Sequence, residues 1–312
     1  MTLERVVVRT PATSANIGPG FDSLGIALGL CDEFTFDRLE SGPSRAITMD
    51  QDGKPSVQNL PTDESNLAVV AFDTFYSANH MPAPSVAVTC VNRIPIARGL
   101  GSSAAAIVAG VLAAEAMMGL EPDMQRRLNM AARIEGHPDN TAACLLGGVV
   151  AASLVATSVL WANVPLAAPL GAVVAVPDMI VSTRIARNVL PGNVLHSDAV
   201  FNVSRVALLV ASLASGDYSN LRYATEDRLH QPYRASLAPG MADAIRAALE
   251  AGALGAYVSG AGPAIMAFQA QGADTAPVAK AMADAFARSR VQASILHLTA
   301  AAEGAQIVSG VK

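Results

Sequence analysis

The sequence predicts a chain of mixed helices and strands in two domains, and three observations carry this reading. A chain of 312 residues has room for two domains of ordinary size, each with a substantial core. Runs rich in β-branched residues recur with alanine-rich helical runs, with no internal repeat or low-complexity linker between them. From Thr141 to Val176 there is no charged residue, yet Gly147-Gly148, Pro165 and Pro169 interrupt that stretch, so buried strands are expected there rather than a spanning helix. The junction is expected between about Ser153 and Gly171, giving an N-terminal domain of residues 1–160 and a C-terminal domain of residues 161–312.

Composition narrows the possible functions. A net charge of −5 argues against a nucleic-acid or anionic-membrane surface, so neither is expected as a partner. Cys31, Cys90 and Cys144 are too few and too scattered for a disulfide framework or a zinc site. Glu4 to Arg9 alternates charged and β-branched residues where a signal peptide would carry an apolar core, and a reducing cytoplasm fits both facts.

Taken in order, Arg5 to Arg9 reads as a first strand running into Pro11-Ala-Thr-Ser-Ala-Asn-Ile-Gly-Pro-Gly-Phe-Asp22, a loop dense in turn formers. Leu24 to Leu30 and Phe34 to Phe36 follow as apolar and strand segments, and the polar residues 40–62, with a turn at Asp52-Gly53, predict a hairpin. Ser65 is expected to cap an amphipathic helix from about Asn66 to Asn79. Ser85 to Val91 alternates as a strand, Ala104 to Met118 is strongly helical, and Pro122 opens a further helix that Gly136 ends. Beyond the uncharged stretch come a strand at Gly171 to Val176 and a helix from about Ser197 to Ala214. A strand–turn–strand unit over Gly255 to Phe268, a helix from Pro277 to Arg288 and an alternating strand from Val291 to Thr299 complete the chain.

Three stretches carry chemistry. Arg98-Gly-Leu-Gly-Ser-Ser-Ala104 is a tight glycine loop opening into a helix, where unpaired N–H groups and the positive end of the helix dipole favour an anion. Ser102 and Ser103 add hydroxyls that suit capping, a phosphate oxygen or a hard cation; a plain strand-to-helix turn is the alternative. No lysine follows a glycine here, so this is not a Walker loop. The loop does fit G-x-G-x-x-G/A, with Glu121 at a tempting distance, but Pro95 breaks the preceding strand and Glu121 follows a helix, so a dinucleotide site is poorly supported. Glu135-Gly-His-Pro-Asp-Asn140 gathers two carboxylates, an imidazole and an amide, against the alternative of a solvated helix end. Arginines near Ser182-Thr183 and in Asp227 to Arg234 suit a carboxylate in bidentate fashion, although surface charge is the default for any one of them.

The loops Pro11 to Asp22, Gly99-Leu-Gly-Ser-Ser-Ala104 and Ser259-Gly-Ala-Gly-Pro263, in this order, resemble the three signature motifs of the GHMP small-molecule kinases. Gly136 to Asn140, Ser182-Thr183 with Ala186-Arg187 and Leu190-Pro191, and Gln231 to Arg234 are most similar to the homoserine-phosphorylating branch. The resemblance implies a two-domain α+β GHMP kinase architecture, its N-terminal domain like ribosomal protein S5 and its C-terminal domain ferredoxin-like, usually as a homodimer. It implies ATP and Mg2+ as cofactors, with Arg98, Gly99, Leu100, Gly101, Ser102, Ser103 and Ala104 around the phosphates, Asn66 in the purine pocket, and Gly260 and Gly262 in the third loop. Ser103 and Glu135 are the implied magnesium ligands. For L-homoserine as substrate, Arg187 and Arg234 would clamp the carboxylate, Asp22 with Asn16 would take the ammonium, and His137, Asp139, Asn140 and Thr183 would line the hydroxyl end. Catalysis by positioning is expected, with Asn140 and Arg187 acting directly and Asp139 an optional base. Ala261 stands where many relatives have serine, which removes a hydroxyl and keeps the backbone shape.

Overall fold

The computed structural model describes residues 3–54 and 60–311. Two sheets divide the chain. The first holds β1 (Arg5–Ala15), β2 (Leu24–Arg38), β3 (Arg45–Met49), β4 (Val86–Val91), β5 (Val149–Val155), β6 (Ser158–Val164) and β11 (Gln306–Val311). Its order is β11-β1-β2-β4-β3, with β5 on the other half of β2 and β6 beyond it. The second sheet runs β10-β7-β9-β8, all antiparallel, from β7 (Leu170–Pro177), β8 (Gly255–Val258), β9 (Ile265–Ala270) and β10 (Ala293–Thr299).

Four helices back the first sheet: α1 (Leu67–Ala78), α2 (Ser102–Met117), α3 (Met124–Glu135) and α4 (Asp139–Leu146). α2 is apolar on every side because it lies inside this layer, with Ile107, Val108, Val111 and Leu112 all buried. Its one charge, Glu115, is buried and held by Arg126 and Arg127 of α3 at 2.7 and 2.5 Å. The second sheet packs against α9 (Met241–Glu250) and α10 (Ala276–Arg288) through Val173, Ile265, Met282 and Phe286. The short helices α5 (Thr183–Asn188), α7 (Leu221–Ala224) and α8 (Gln231–Arg234) and the long α6 (His196–Ser215) lie between β7 and α9 in the chain.

A third cluster joins the halves. Ile17, Leu24, Leu28 and Leu100 from the first pack with Val174, Leu209, Leu213, Tyr257 and Phe268 from the second. Residue 160, the expected domain division, falls inside β6, which pairs with β5, and the chain's last strand pairs with β1. Among the described residues, α6 is the one helix long and apolar enough to cross a bilayer by length and composition.

Several expectations change on contact with the structure. Leu24 to Phe36 is one long strand, bent by a bulge opposite Pro11/Ala12. The predicted hairpin over 40–62 is instead β3 lying parallel to β4, so the intervening α1 makes it a crossover unit; residues 55–59 lie outside the described ones. Asn66 rather than Ser65 caps α1, its side chain accepting from the N–H of Ala68, while Ser65 bonds to Asp63. The uncharged stretch begins with α4 before its strands, because Pro138 and Asp139 start a helix directly after Gly136 ends α3 with φ +92°. β11 has no counterpart among the predicted strands.

Candidate active site

A cavity of about 400 Å³ lies between the two halves. Its floor is the glycine loop. Gly99 and Gly101 both take positive φ, +84° and +70°, and α2 starts at Ser102 with Gly101 as a cap that supplies no side chain. No hydroxyl caps the helix, so its first N–H groups are left for a guest. A Cβ on Gly101 would overlap Thr13 Oγ1, and one on Gly99 would overlap the Ser259 carbonyl, so only glycine lets the three loops close this tightly. They are laced together: Thr13 N–H donates to Leu100 O at 3.1 Å, Gly260 N–H to Ala15 O at 3.1 Å, and Asn16 Nδ2 to Gly260 O at 2.8 Å.

At one end, Phe34, Ile47, Leu67, Val88 and Ile96 give an apolar slot edged by the polar Asn66, Asn92 and Asp32. Asp32 is fully buried and accepts from the Arg93 and Ile94 N–H groups at 2.6 and 2.9 Å, which fixes the turn leading into the glycine loop. Burial pushes its pKa up against these bonds.

The other end is charged. Ser103 Oγ donates to Glu135 Oε1 at 2.6 Å, tying the loop to the end of α3. Burial raises the Glu135 pKa, the Ser103 bond opposing it. His137 Nδ1 meets Asp139 Oδ1 at 2.6 Å, and that oxygen also accepts the Asn140 N–H at 2.7 Å. Burial works against a charged His137 ring, but the bond to Asp139 and the nearby carboxylates outweigh it and raise its pKa. Asp22 holds Arg187 bidentately at 3.0 and 2.8 Å, and this pairing raises the arginine's pKa further. Arg234 is buried, donates to Ala186 O and Gly260 O, and has its pKa lowered to about 10 by burial and by Arg187.

Of the residues singled out in the sequence, Asn16, Asp22, Asn66, Gly99, Leu100, Gly101, Ser102, Ser103, Glu135, His137, Asp139, Asn140, Thr183, Arg187, Arg234, Gly260 and Gly262 all line this cavity. Two do not. Arg98 turns outward to pair with Asp178 at 3.3 Å, and Ala104 is buried behind the loop. Thr13, Asp32 and the Asp227–His230 pair behind Arg234 went unread. Only His230 left a trace, its i,i+4 spacing to Arg234 across one helical turn.

Residues 66–148 match the family model described as GHMP kinases N terminal domain, and residues 209–288 the model GHMP kinases C terminal. A homoserine kinase of Moorella thermoacetica is 42% identical over 302 residues, 97% of this chain and 99% of the relative. One of Desulfitobacterium hafniense is 41% identical over 97% of this chain and 100% of its own length. The crystal structure of a homoserine kinase from Cytophaga hutchinsonii superposes with a TM-score of 0.86 at 30% identity, covering 98% of both chains. With three interlocked glycine loops, a two-sheet fold and relatives matched end to end, the chain belongs to the GHMP kinases, in the homoserine kinase family.

Proposed function

We propose that this chain transfers a phosphoryl group from ATP to the hydroxyl of L-homoserine, giving O-phospho-L-homoserine in threonine biosynthesis. One observation carries the reading: opposed charges, Asp22 against Arg187 and Arg234, sit in the same cavity as an uncapped helix start. Homoserine is a zwitterion with a hydroxyl, so it brings a partner for each of those charges. In exchanging the Asp22–Arg187 pair for two pairs of its own, its ammonium meets Asp22 beside Asn16 and its carboxylate meets Arg187 and Arg234. Charge-assisted bonds of this kind are worth about 1.5–3 kcal/mol each.

The residues present fit a nucleotide and a hard cation. The slot near Asn66 takes a flat base, and the free N–H groups at Ser102 and Ser103 take phosphate oxygens. Ser103 and Glu135 offer one hydroxyl and one carboxylate 2.6 Å apart, a donor set suited to magnesium bound mostly through phosphates and water. Bound MgATP supplies the phosphoryl group and the charge that neutralises it. The chain's own contribution is placement: Asn140, His137 and Thr183 hold the acceptor hydroxyl, and Arg187, on the wall of the same cavity, adds positive charge. Asp139 already accepts from His137 and Asn140 through Oδ1, so it is read as part of the scaffold more than as the base. The family resemblance supports a homodimer working in the cytoplasm.

ADP release with MgATP across a panel of hydroxyl acceptors tests this. Turnover that depends on homoserine supports it, and turnover with mevalonate or shikimate instead selects another kinase of the family. Tight nucleotide binding with no acceptor-dependent turnover selects a silent relative.

A further inference from the structure

Asn140 is held from behind by a residue that contributes nothing to the cavity wall. Thr13, near the end of β1, is fully buried, and its Oγ1 donates to Asn140 Oδ1 at 2.7 Å. On the other side of the amide lies the Asp139 carboxylate, whose Oδ1 is 3.5 Å from Asn140 Nδ2. These two neighbours agree. Rotating the amide by a half-turn would set its carbonyl against the Asp139 carboxylate, so Nδ2 stays on the Asp139 side and Oδ1 toward Thr13 of β1. The contact is also fixed in space, because Thr13 N–H donates to Leu100 O and a Cβ on Gly101 would overlap Thr13 Oγ1. The same threonine therefore touches the glycine loop through its backbone and the acceptor end through its hydroxyl.

We propose that Thr13 is the positioning residue for Asn140: its hydroxyl locks the amide with Nδ2 donating to the acceptor oxygen. This rests on the functional reading above. With Nδ2 fixed, the acceptor hydroxyl receives a hydrogen bond on one lone pair and keeps the other for phosphorus. Without Thr13 the Asn140 carbonyl loses its partner and the amide is free to swing, so the hydroxyl spends less time in line.

The test is a double-mutant cycle between Thr13→Val and Asn140→Ala, with Thr13→Ser and Thr13→Ala alongside, on full-length protein with MgATP and homoserine. Thr13→Val removes the hydroxyl at constant volume; Thr13→Ala covers the case in which the valine variant does not fold. Expected is a fall in kcat of about ten- to a hundredfold for Thr13→Val, with KM for ATP and the dissociation constant for ADP within about twofold of the parent. Thr13→Ser should restore kcat to within about threefold, and Thr13→Val should cost under about twofold more in the Asn140→Ala background. An unchanged kcat in Thr13→Val, or an equal loss in both backgrounds, overturns the assignment while leaving the function standing. A parent protein that releases no ADP with homoserine overturns both, so the two failures are distinguishable.

Discussion

Asp139 sits buried at the first turn of α4, its Oδ1 engaged by the His137 ring and the Asn140 backbone. An asparagine keeps an oxygen at that position, so Asp139→Asn should leave most of kcat intact. A loss beyond about a thousandfold, roughly 4 kcal/mol, would make Asp139 a true base. His230 gives a second prediction at this scale. Its Nε2 lies 2.8 Å from Gly18 O and its Nδ1 3.1 Å from Arg234, so a neutral ring donates to one and accepts from the other. Burial and the Arg234 charge lower its pKa against the pull of Asp227. The unfolded chain then takes up the proton first as pH falls below the ordinary value of 6.5, and stability drops until the folded ring also protonates. Urea unfolding at about pH 7.5 and about pH 5 should show acidification to be less favourable for the parent than for His230→Gln, the opposing contribution of His137 being common to both. An equal change in both would contradict it. Asp22, Arg187 and Arg234 were readable only through the motifs that resemble the family, since surface charge is the default for any one of them; Thr13 was not, because a buried hydroxyl has no spacing and its partner lies 127 positions away.

The glycine loop is the element on which the site depends. Gly101→Ala sets a Cβ against Thr13 and forces an L residue to φ +70°. The variant should lose tenfold or more in ATP affinity, about 1.4 kcal/mol, measured by titration of a nucleotide. Gly42 makes the control: it has φ +88° and open space around it, so Gly42→Ala should cost about 1 kcal/mol of stability and leave nucleotide binding unchanged. Equal effects on binding from both substitutions would separate the loop from the nucleotide. The helix α2 could be read from its alanine-rich run, and the loop before it, which fits a plain turn as well, from its place among the three motifs that resemble the family. β3 and β11 could not. Every residue of β11 is exposed, so no two-residue period marks it, and its partner β1 is at the opposite end of the chain.

Across the whole molecule, the two halves are interleaved. β11 returns to cover β1, and the cluster around Leu28, Leu100, Tyr257 and Phe268 belongs to both. Truncation before Gln306 leaves β1 as an open edge. Its thermal midpoint should fall by several degrees, roughly the effect of 1–2 kcal/mol in a protein of this size. A truncated chain as stable as the parent would show that β11 adds nothing. The same interleaving places Asn16 and Arg234 on one Gly260 carbonyl, so the cavity is built from both halves at once. A shared cavity that phosphorylates homoserine reveals itself by its product. Purified protein with MgATP and L-homoserine, followed by phosphorus NMR, should convert the γ-phosphate signal into that of a phosphate monoester on homoserine, with one ADP formed for each. ADP appearing with inorganic phosphate alone, or no change while another hydroxyl acceptor is phosphorylated, would contradict it.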